Sequence, residues 1–590
     1  MRLKHNPIIW FPLVIAASIV LGIIVGNHIS TKKFITDKDR KINTVLNLIE
    51  SEYVDTVDIK ELVELTIPKI ISNLDPHSYY IPAKDVRATN DDLNGSISGI
   101  GITFSMLNDS AHVLEIVPGG PAEKAGILAG DRIITVNDSS IVGPTISSEK
   151  VMSMIRGERD TKVKIGIRRN NSRKPLTFEI TRGDIPINTV DAAYMLEKGI
   201  GYIKVNKFGR YTYDEFLTAL VSLSEEGATK YVIDLRGNAG GFMEMATLMA
   251  NEFLSKGELI VYTKGRDSRE NIQVWSDDNG SFHDDQLAVL IDEYSASASE
   301  IFAGAIQDND RGLVIGRRSF GKGLVQKQTY LPDSSAIRLT IARYYTPSGR
   351  CVQKDYKAGD ESTYSMELYD RYSNGEIFNA DSIKIDKSKI FTTVGGRTVY
   401  GGGGIIPDIF VPTDTTGMTS YYVACANKGL LQRYAFAYTD LNRDRFSKIK
   451  DVDKLMRILP SDDALTYDFI MYAKDNGVPV RWFYINMSRK LIARQLKALI
   501  ARDVIGAEAG YRIQNKYDNT VQAAVKALKA GKATPPVTVG SSNKTDKTAK
   551  NGQNRITQNC PSPQSGNGLR REGSGRTTSH GAANGLAGVC

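Results

Sequence analysis

Apolar strand-like runs alternating with amphipathic helices between residues 183 and 414 predict a layered α/β core. Glycine-rich turns joining short alternating strands between 95 and 182 predict a small α+β module inserted ahead of it. Apolar residues at helical spacing in 31–94 and 415–536 predict helical regions on both sides. The 590 residues are 41% hydrophobic and 24% charged, which excludes wholesale disorder and a polytopic membrane protein. Of the net charge of +8, residues 541–590 carry +5, so the basic balance does not point to nucleic acid. Four cysteines without a CxxC pair and six histidines give no basis for a disulfide framework or a metal centre.

The first segment, 1–30, sets the compartment. Ile8–Gly26 is almost wholly apolar, interrupted only by Ser18, and about 20 residues in a helix cross a bilayer. Arg2 and Lys4 precede it, which places the N-terminus in the cytoplasm and the rest outside. A cleaved signal peptide is the alternative, but its apolar run is usually shorter and ends in A-x-A, whereas this one exits as Val25-Gly26-Asn27-His28. The expectation is an uncleaved single-pass anchor in the inner membrane with the remainder in the periplasm.

Within 31–94, Val45, Leu46, Leu48, Ile49 and then Leu62, Val63, Leu65, Ile67 recur at helical spacing, punctuated by Pro68 and by Asp75-Pro76. In the core, 199–205, 231–235, 259–262, 287–291 and 313–315 read as strands, and 213–226, 242–254 and 298–307 as helices. Residues 354–398 are polar and irregular and read as an insertion. From 415 to about 530 the pattern turns helical, with Ile492, Leu496, Leu499 and Ile500 on one face, and Pro535-Pro536 ends it. The tail, 537–590, reads as disordered: its last fifty residues lack Phe, Trp and Tyr and cannot bury enough apolar surface to order themselves.

Gly99-Ile100-Gly101-Ile102 opens a strand and is followed by Pro121-Ala122, Ala125-Gly126 and the run Gly130-Asp131-Arg132-Ile133-Ile134-Thr135-Val136-Asn137. Together these closely resemble a PDZ domain of the kind found in bacterial proteases. Such a module adds an extended peptide to a strand edge and holds its terminal carboxylate on successive backbone N–H groups. Gly99 and Gly101 let the backbone approach that carboxylate, and Ile100 and Ile102 are candidates to line a pocket for an apolar last side chain. A glycine-bounded hairpin without ligand is the plainer alternative.

Leu287–Ile291 leads through Asp292-Glu293-Tyr294 into Ser295-Ala296-Ser297-Ala298-Ser299-Glu300 and a helical pattern. A serine at a strand-to-helix turn exposes its hydroxyl beside free N–H groups, which suits a nucleophile, although serines there also cap helices. Two further segments favour chemistry. Ser319-Phe320-Gly321-Lys322-Gly323 sets a lysine between glycines in a strand-rich core. Asp234-Leu235-Arg236-Gly237-Asn238-Ala239-Gly240-Gly241 is a strand running into a glycine loop. That loop lacks a P-loop ending and fits an oxyanion-binding role better than phosphate binding.

With Asn73-Leu74-Asp75-Pro76-His77-Ser78-Tyr79, Y-Y-T-P-S-G-R at 344–350 and G-I-I-P-D-I at 404–409, these motifs in this order resemble the carboxyl-terminal processing peptidases, or tail-specific proteases, over about 37–414. The resemblance implies a serine endopeptidase with a Ser–Lys dyad on a crotonase-like α/β core, without metal or nucleotide cofactor. It makes Ser297 the nucleophile, Lys322 the general base and Gln326 the residue that orients the lysine. Backbone N–H groups of Ala298 and of Gly240 or Gly241 become the oxyanion donors.

The implied chemistry requires a lysine that is neutral near physiological pH, and burial lowers the ordinary value of about 10.4. A Ser–His–Asp triad is the rival, for which His77, His112 and His283 are the histidines outside the anchor and tail. A non-catalytic PDZ scaffold recruiting periplasmic proteins is the rival function; it would have no need of Ser297, Lys322 and Gln326 together. The expected substrates are unfolded or flexible protein C-termini. Residues 354–398 and 415–530 are candidates for regulating access, self-association or binding an adaptor, and Cys351 and Cys425 are candidates to pair outside the cytoplasm.

Overall fold

In a computed structural model the described residues are 37–107, 109–169, 172 and 174–531, with 16, 18, 20, 21, 588 and 589. Most of the expected membrane anchor, 8–26, and of the tail, 537–590, lies outside them. Among the described residues no helix is long and apolar enough to cross a membrane.

The chain forms two compact units, 1–73 and 74–590. The first holds the helices Asp37–Glu52 and Ile59–Ile71. Asp58 caps the second, its carboxylate accepting from the N–H groups of Lys60 and Glu61. Pro68 does not end this helix as its ring would suggest; it falls in the last turn, where a missing N–H costs one bond.

In the second unit Tyr79–Ile81 is a strand, not helix as expected, because its backbone pairs antiparallel with Ala336–Tyr345. The helix Ala83–Asn94 then leads into Ser96–Gly99, which pairs with Gly183–Pro186 as a two-stranded ribbon. Between them sits a module of antiparallel strands, Ile102–Leu107, Ser110–Ile116, Arg132–Val136, Lys162–Arg168 and Leu176–Thr181, with the short Ser139–Ser140 also on Arg132–Val136. Its centre is built from Ile100, Ile102, Phe104, Val113, Ile133, Ile165 and Ile167, all without solvent exposure. The outer edge of Ile102–Leu107 pairs antiparallel with Gly588–Val589, Thr103 facing Val589 and Phe104 facing Gly588.

The core has two sheets. One runs Val190–Glu197, Ile200–Val205, Lys230–Asp234, Gln286–Ile291, Leu313–Gly316, Ile409–Phe410; its first pair is antiparallel and the rest parallel. The parallel strands are mostly apolar because both faces are covered, with Lys204 and Asp234 as buried charged exceptions. Thr212–Glu225, Met243–Asn251 and Ala298–Asp308 share an apolar cluster with one face. The other face packs against Val521, Ala524, Val525 and Leu528 of the helix Asn519–Lys529. The second sheet is antiparallel and joins Tyr79–Ile81, Ala336–Tyr345, Leu259–Gly265 and Gln273–Trp275, with Leu324–Tyr330 also on Ala336–Tyr345.

Residues 354–398 are more regular than expected. They contain the helix Glu361–Ser373, whose buried residues are only Tyr364 and Arg371, too few for an apolar stripe to show in sequence. From Ser420 to Lys529 the chain is helical, and the 24-residue helix Trp482–Ile505 runs through its apolar cluster. Cys351 and Cys425 lie in different apolar clusters and form no disulfide with each other.

Candidate active site

Three parallel strands end beside one another, and each delivers one expected segment: 234–241 after Lys230–Asp234, 295–300 after Gln286–Ile291, and 319–323 after Leu313–Gly316. Ligand sites of open α/β sheets form at this carboxyl edge.

The three serines of Ser295-Ala296-Ser297-Ala298-Ser299 divide their tasks. Ser295 Oγ donates to Leu235 O (2.8 Å) and Ser299 Oγ to Asn238 O (2.8 Å), so the outer two stitch this turn to the glycine loop. Both are fully buried. Ser297 Oγ is spent on no carbonyl of the described residues. Its backbone has φ 56° and ψ −114°, a conformation that β-carbon-bearing residues avoid and that is maintained only where the surroundings enforce it. Helix Ala298–Asp308 begins at the next residue.

The glycine loop lies directly against this turn. A Cβ on Gly240 would sit 2.7 Å from Ser297 Cβ and 3.0 Å from Ala298 N. Of the three expected donors, Gly240 N–H is occupied by Asn238 Oδ1 at 2.9 Å. The N–H groups of Gly241 and Ala298 make no hydrogen bond to the described residues.

Lys322 comes to the same place through two shared partners, one an acceptor and one a donor. Glu300 Oε2 accepts from Ser297 N (2.9 Å) and from Lys322 N (2.8 Å). Tyr344 Oη lies 2.6 Å from Lys322 O and 3.1 Å from Ser297 O. Lys322 Nζ donates to Gln326 Oε1 at 3.1 Å, and Gln326 Nε2 donates to His77 O. Gln326 is aimed by a register shift at Val325/Gln326 in the pairing with Ala336–Tyr345, a bulge that turns a side chain. Burial, with Arg338 adding to it, holds the Lys322 ammonium below its usual pKa, while Glu300 and Asp75 oppose the shift.

The model of peptidase family S41 matches residues 199–362, that of the PDZ domain 98–180, and a family of unknown function 421–506. A carboxy-terminal-processing protease of Bartonella bacilliformis is 36% identical over 318 residues, 53% of this chain and 72% of the relative. The carboxy-terminal processing protease CtpB of Bacillus subtilis is 32% identical over 349 residues, 59% and 71% of the two chains. The chain belongs to the carboxy-terminal processing serine proteases of peptidase family S41. Among solved structures, the photosystem II D1 C-terminal processing protease is 28% identical, covering 54% of this chain and 91% of that one, with a TM-score of 0.30.

Sequence reading of this S41 protease missed Glu300, whose single buried carboxylate joins the two segments. Besides Ser297 and Lys322, it accepts from Ser319 Oγ (2.5 Å) and Gly321 N (2.8 Å). Burial pushes its pKa up, against the pull of those four donors. Its place at the end of S-A-S-A-S-E was visible, but a helix N-terminus accepts Glu as a routine cap, so nothing marked it out. Asp75 was missed too. It accepts from His77 N, Ser78 N, Ser78 Oγ and Thr340 Oγ1 at 2.5–3.0 Å, which fixes the carbonyl that orients Gln326. The 354–398 segment props the lysine loop from behind: Arg371 donates to Ser319 O and Phe320 O, and Lys354 Nζ stands 4.1 Å from the ring centres of Phe320 and Tyr364.

None of the rival histidines is hydrogen-bonded to Ser297 among the described residues. His283 precedes the strand Gln286–Ile291 whose far end leads to Ser297, and six residues of strand span about 20 Å. His112 Nε2 meets Arg132 Nε at 3.1 Å in the PDZ module. His77 Nε2 pairs with Tyr364 Oη at 2.7 Å, and burial first, then Lys322, lowers its pKa to about 4.

In the PDZ module, Ile100 and Ile102 are fully buried in the apolar cluster. Gly101 has φ +81°, and its carbonyl accepts from Val117 N (3.0 Å). The N–H groups of Ile100 and Gly101 make no hydrogen bond to the described residues.

Proposed function

We propose that this S41 protease is a membrane-anchored periplasmic endopeptidase that captures protein C-termini on its PDZ module and cleaves with a Ser297–Lys322 dyad on a crotonase-like core. The observation that carries the dyad is the convergence of Ser297 N and Lys322 N on Glu300 Oε2, with Lys322 Nζ on Gln326 Oε1. Neutral Lys322 takes the proton from Ser297 Oγ as that oxygen attacks the scissile carbonyl. The carbonyl oxygen becomes anionic between the N–H groups of Gly241 and Ala298, which no other acceptor among the described residues occupies. Collapse breaks the C–N bond, and the departing amine takes the proton from Lys322. Water, deprotonated by the same lysine, then releases the acyl group from Ser297.

Capture follows from strand addition: the edge of Ile102–Leu107 accepts an antiparallel strand, as Gly588–Val589 illustrate. The reading of the compartment rests on the apolar run 8–26 behind Arg2 and Lys4.

The test is the full-length protein in detergent, given an unstructured protein ending in apolar residues, beside Ser297→Ala and Lys322→Ala. Cleavage by the parent alone is expected. Undiminished cleavage by Lys322→Ala would remove the dyad.

A further inference from the structure

Chain connectivity holds the PDZ module to the core loosely. It enters through Ser96–Gly99 and leaves through Gly183–Pro186, and a two-stranded ribbon is marginal on its own. One bond from the helix Ala83–Asn94, Arg87 Nη2 to Gly157 O, adds to it. Yet a strand-captured substrate reaches Ser297 at a reproducible residue only if the module stands at a fixed distance and angle.

The C-terminal helical region supplies a third hold. On its PDZ side, Phe436 of the helix Leu430–Leu441 packs edge-on against His112, with centroids 6.0 Å apart. Arg443, paired with Asp440 at 2.6 Å, lies on the turn at Gly130, where an added Cβ would overlap its guanidinium. A cavity of about 140 Å³ at this joint is lined from both sides, by Leu114 and Gly130 and by Phe446 and Asp503. Asp503 is partly buried at the end of Trp482–Ile505; Arg502 and the PDZ residue Glu115 act on it with opposite signs.

On its core side the same region is bolted to the sheet. Lys230 Nζ donates to Leu528 O (2.9 Å), Asn515 Nδ2 to Tyr194 Oη (2.8 Å) and Tyr511 Oη to Asp191 (3.2 Å). Asp518 takes both oxygens to Arg236 Nη1 at 2.9 and 3.0 Å, immediately before the glycine loop. The two sides are close along the chain: Asp503 stands at the PDZ joint, and Glu508, five residues on, accepts from Ala193 N of the core. Packed helices linked this tightly transmit position with little play.

We propose that the helical region 420–529 is a ruler: it seats the PDZ module at a fixed distance from Ser297 and so sets how far from a substrate's C-terminus the chain is cut. This rests on the PDZ-capture and Ser297 readings above. It gives a role to a segment that matches, over 421–506, a family of unknown function.

The experiment uses the full-length protein and an unstructured polypeptide with an apolar C-terminus, its products mapped by mass spectrometry. A short peptide without an apolar end reports activity that does not depend on capture. The parent is expected to cut within a narrow window measured from the C-terminus, and the window is expected to shift with the end when the polypeptide is lengthened by ten residues. Phe436→Ala with Arg443→Ala is expected to widen that window at least twofold, with short-peptide turnover within twofold of the parent. Arg443→Lys, which keeps the charge beside Asp440 and shortens the reach to the turn at Gly130, is expected to widen it less, which separates a loosened joint from a misfolded region. An unchanged window in both variants, or a parent that cuts without reference to the end, would overturn the ruler. Loss of all cleavage in the parent would instead strike the reading on which it rests.

Discussion

Two glycine turns in this chain present main-chain N–H groups, and they are braced in opposite ways. The loop 237–241 beside Ser297 is held by polar groups at Gly237, Asn238 and Gly240. Gly237 N donates to Asp292 Oδ1 (2.9 Å), Asn238 Nδ2 to Val205 O (3.1 Å) and Gly240 N to Asn238 Oδ1 (2.9 Å). Beneath it Arg236 is clamped between Asp234 and Asp518, and Asp234 also takes Tyr202 Oη (2.8 Å). Arg236 first, then Lys204, holds the Asp234 carboxyl far below the usual range against its own burial. The turn 99–101 in the PDZ module is set instead among Ile100, Ile102, Val117 and Ile185. Charge that develops only in a transition state is best met by dipoles already fixed in place, and an ionic frame fixes them. A carboxylate that is present throughout binding needs less, and an apolar bed that yields slightly suits varied peptide ends.

The largest break in this contrast is expected at the braced site. Ser297→Ala and Lys322→Met should each lower kcat by about 10⁴-fold or more, as when a member of a nucleophile–base pair is removed, measured on an unstructured protein. Lys322→Met should also leave thermal unfolding at neutral pH no lower than the parent's, because the buried amine it removes is costly to charge. The parent's kcat should fall as pH drops through the lowered Lys322 pKa, since protonation removes the base; a pH–rate profile flat from 9 to about 5 would contradict this.

Glu300→Gln comes next. It turns an NH₂ toward donors that need an acceptor, and kcat should drop about 10²-fold, with a lower melting temperature. Asp518→Asn removes one of the two carboxylates on Arg236 and should lower kcat by about 3- to 10-fold at unchanged KM; an effect on KM alone would show that the frame does not reach the glycine loop.

The smallest effect belongs to the apolar turn. Gly101→Ala, at φ +81° with Ile185 Cδ1 3.1 Å from the new Cβ, should cost the module about 1 kcal/mol. It should raise KM for an apolar-tailed substrate several-fold and leave kcat unchanged. A fall in kcat instead would mean that the PDZ turn needs bracing as rigid as that of the loop beside Ser297.

Much of this was legible because local pattern and tertiary role agree. The parallel strands are short, mainly apolar runs, so 231–235, 287–291 and 313–315 stood out, and the turns after them carried Ser297, Lys322 and the glycines. Tyr79–Ile81 and Glu361–Ser373 were not legible. The first is a strand because Ala336–Tyr345 offers it an edge 255 residues or more away; the second is a helix whose inward face is two polar-tipped residues.

By itself, then, the sequence determined the order of modules, the strands of the parallel sheet and the residue types at their carboxyl ends, since period and composition are local properties of the chain. Only the tertiary structure decided which of three serines keeps its hydroxyl off the carbonyls around it, which glycine N–H remains open, and that Glu300 ties Ser297 and Lys322 together. The reason is that a hydrogen-bonding group is made available or spent by the neighbours packed against it. Those neighbours, from Leu235 to Tyr344, arrive from segments that are remote along the chain.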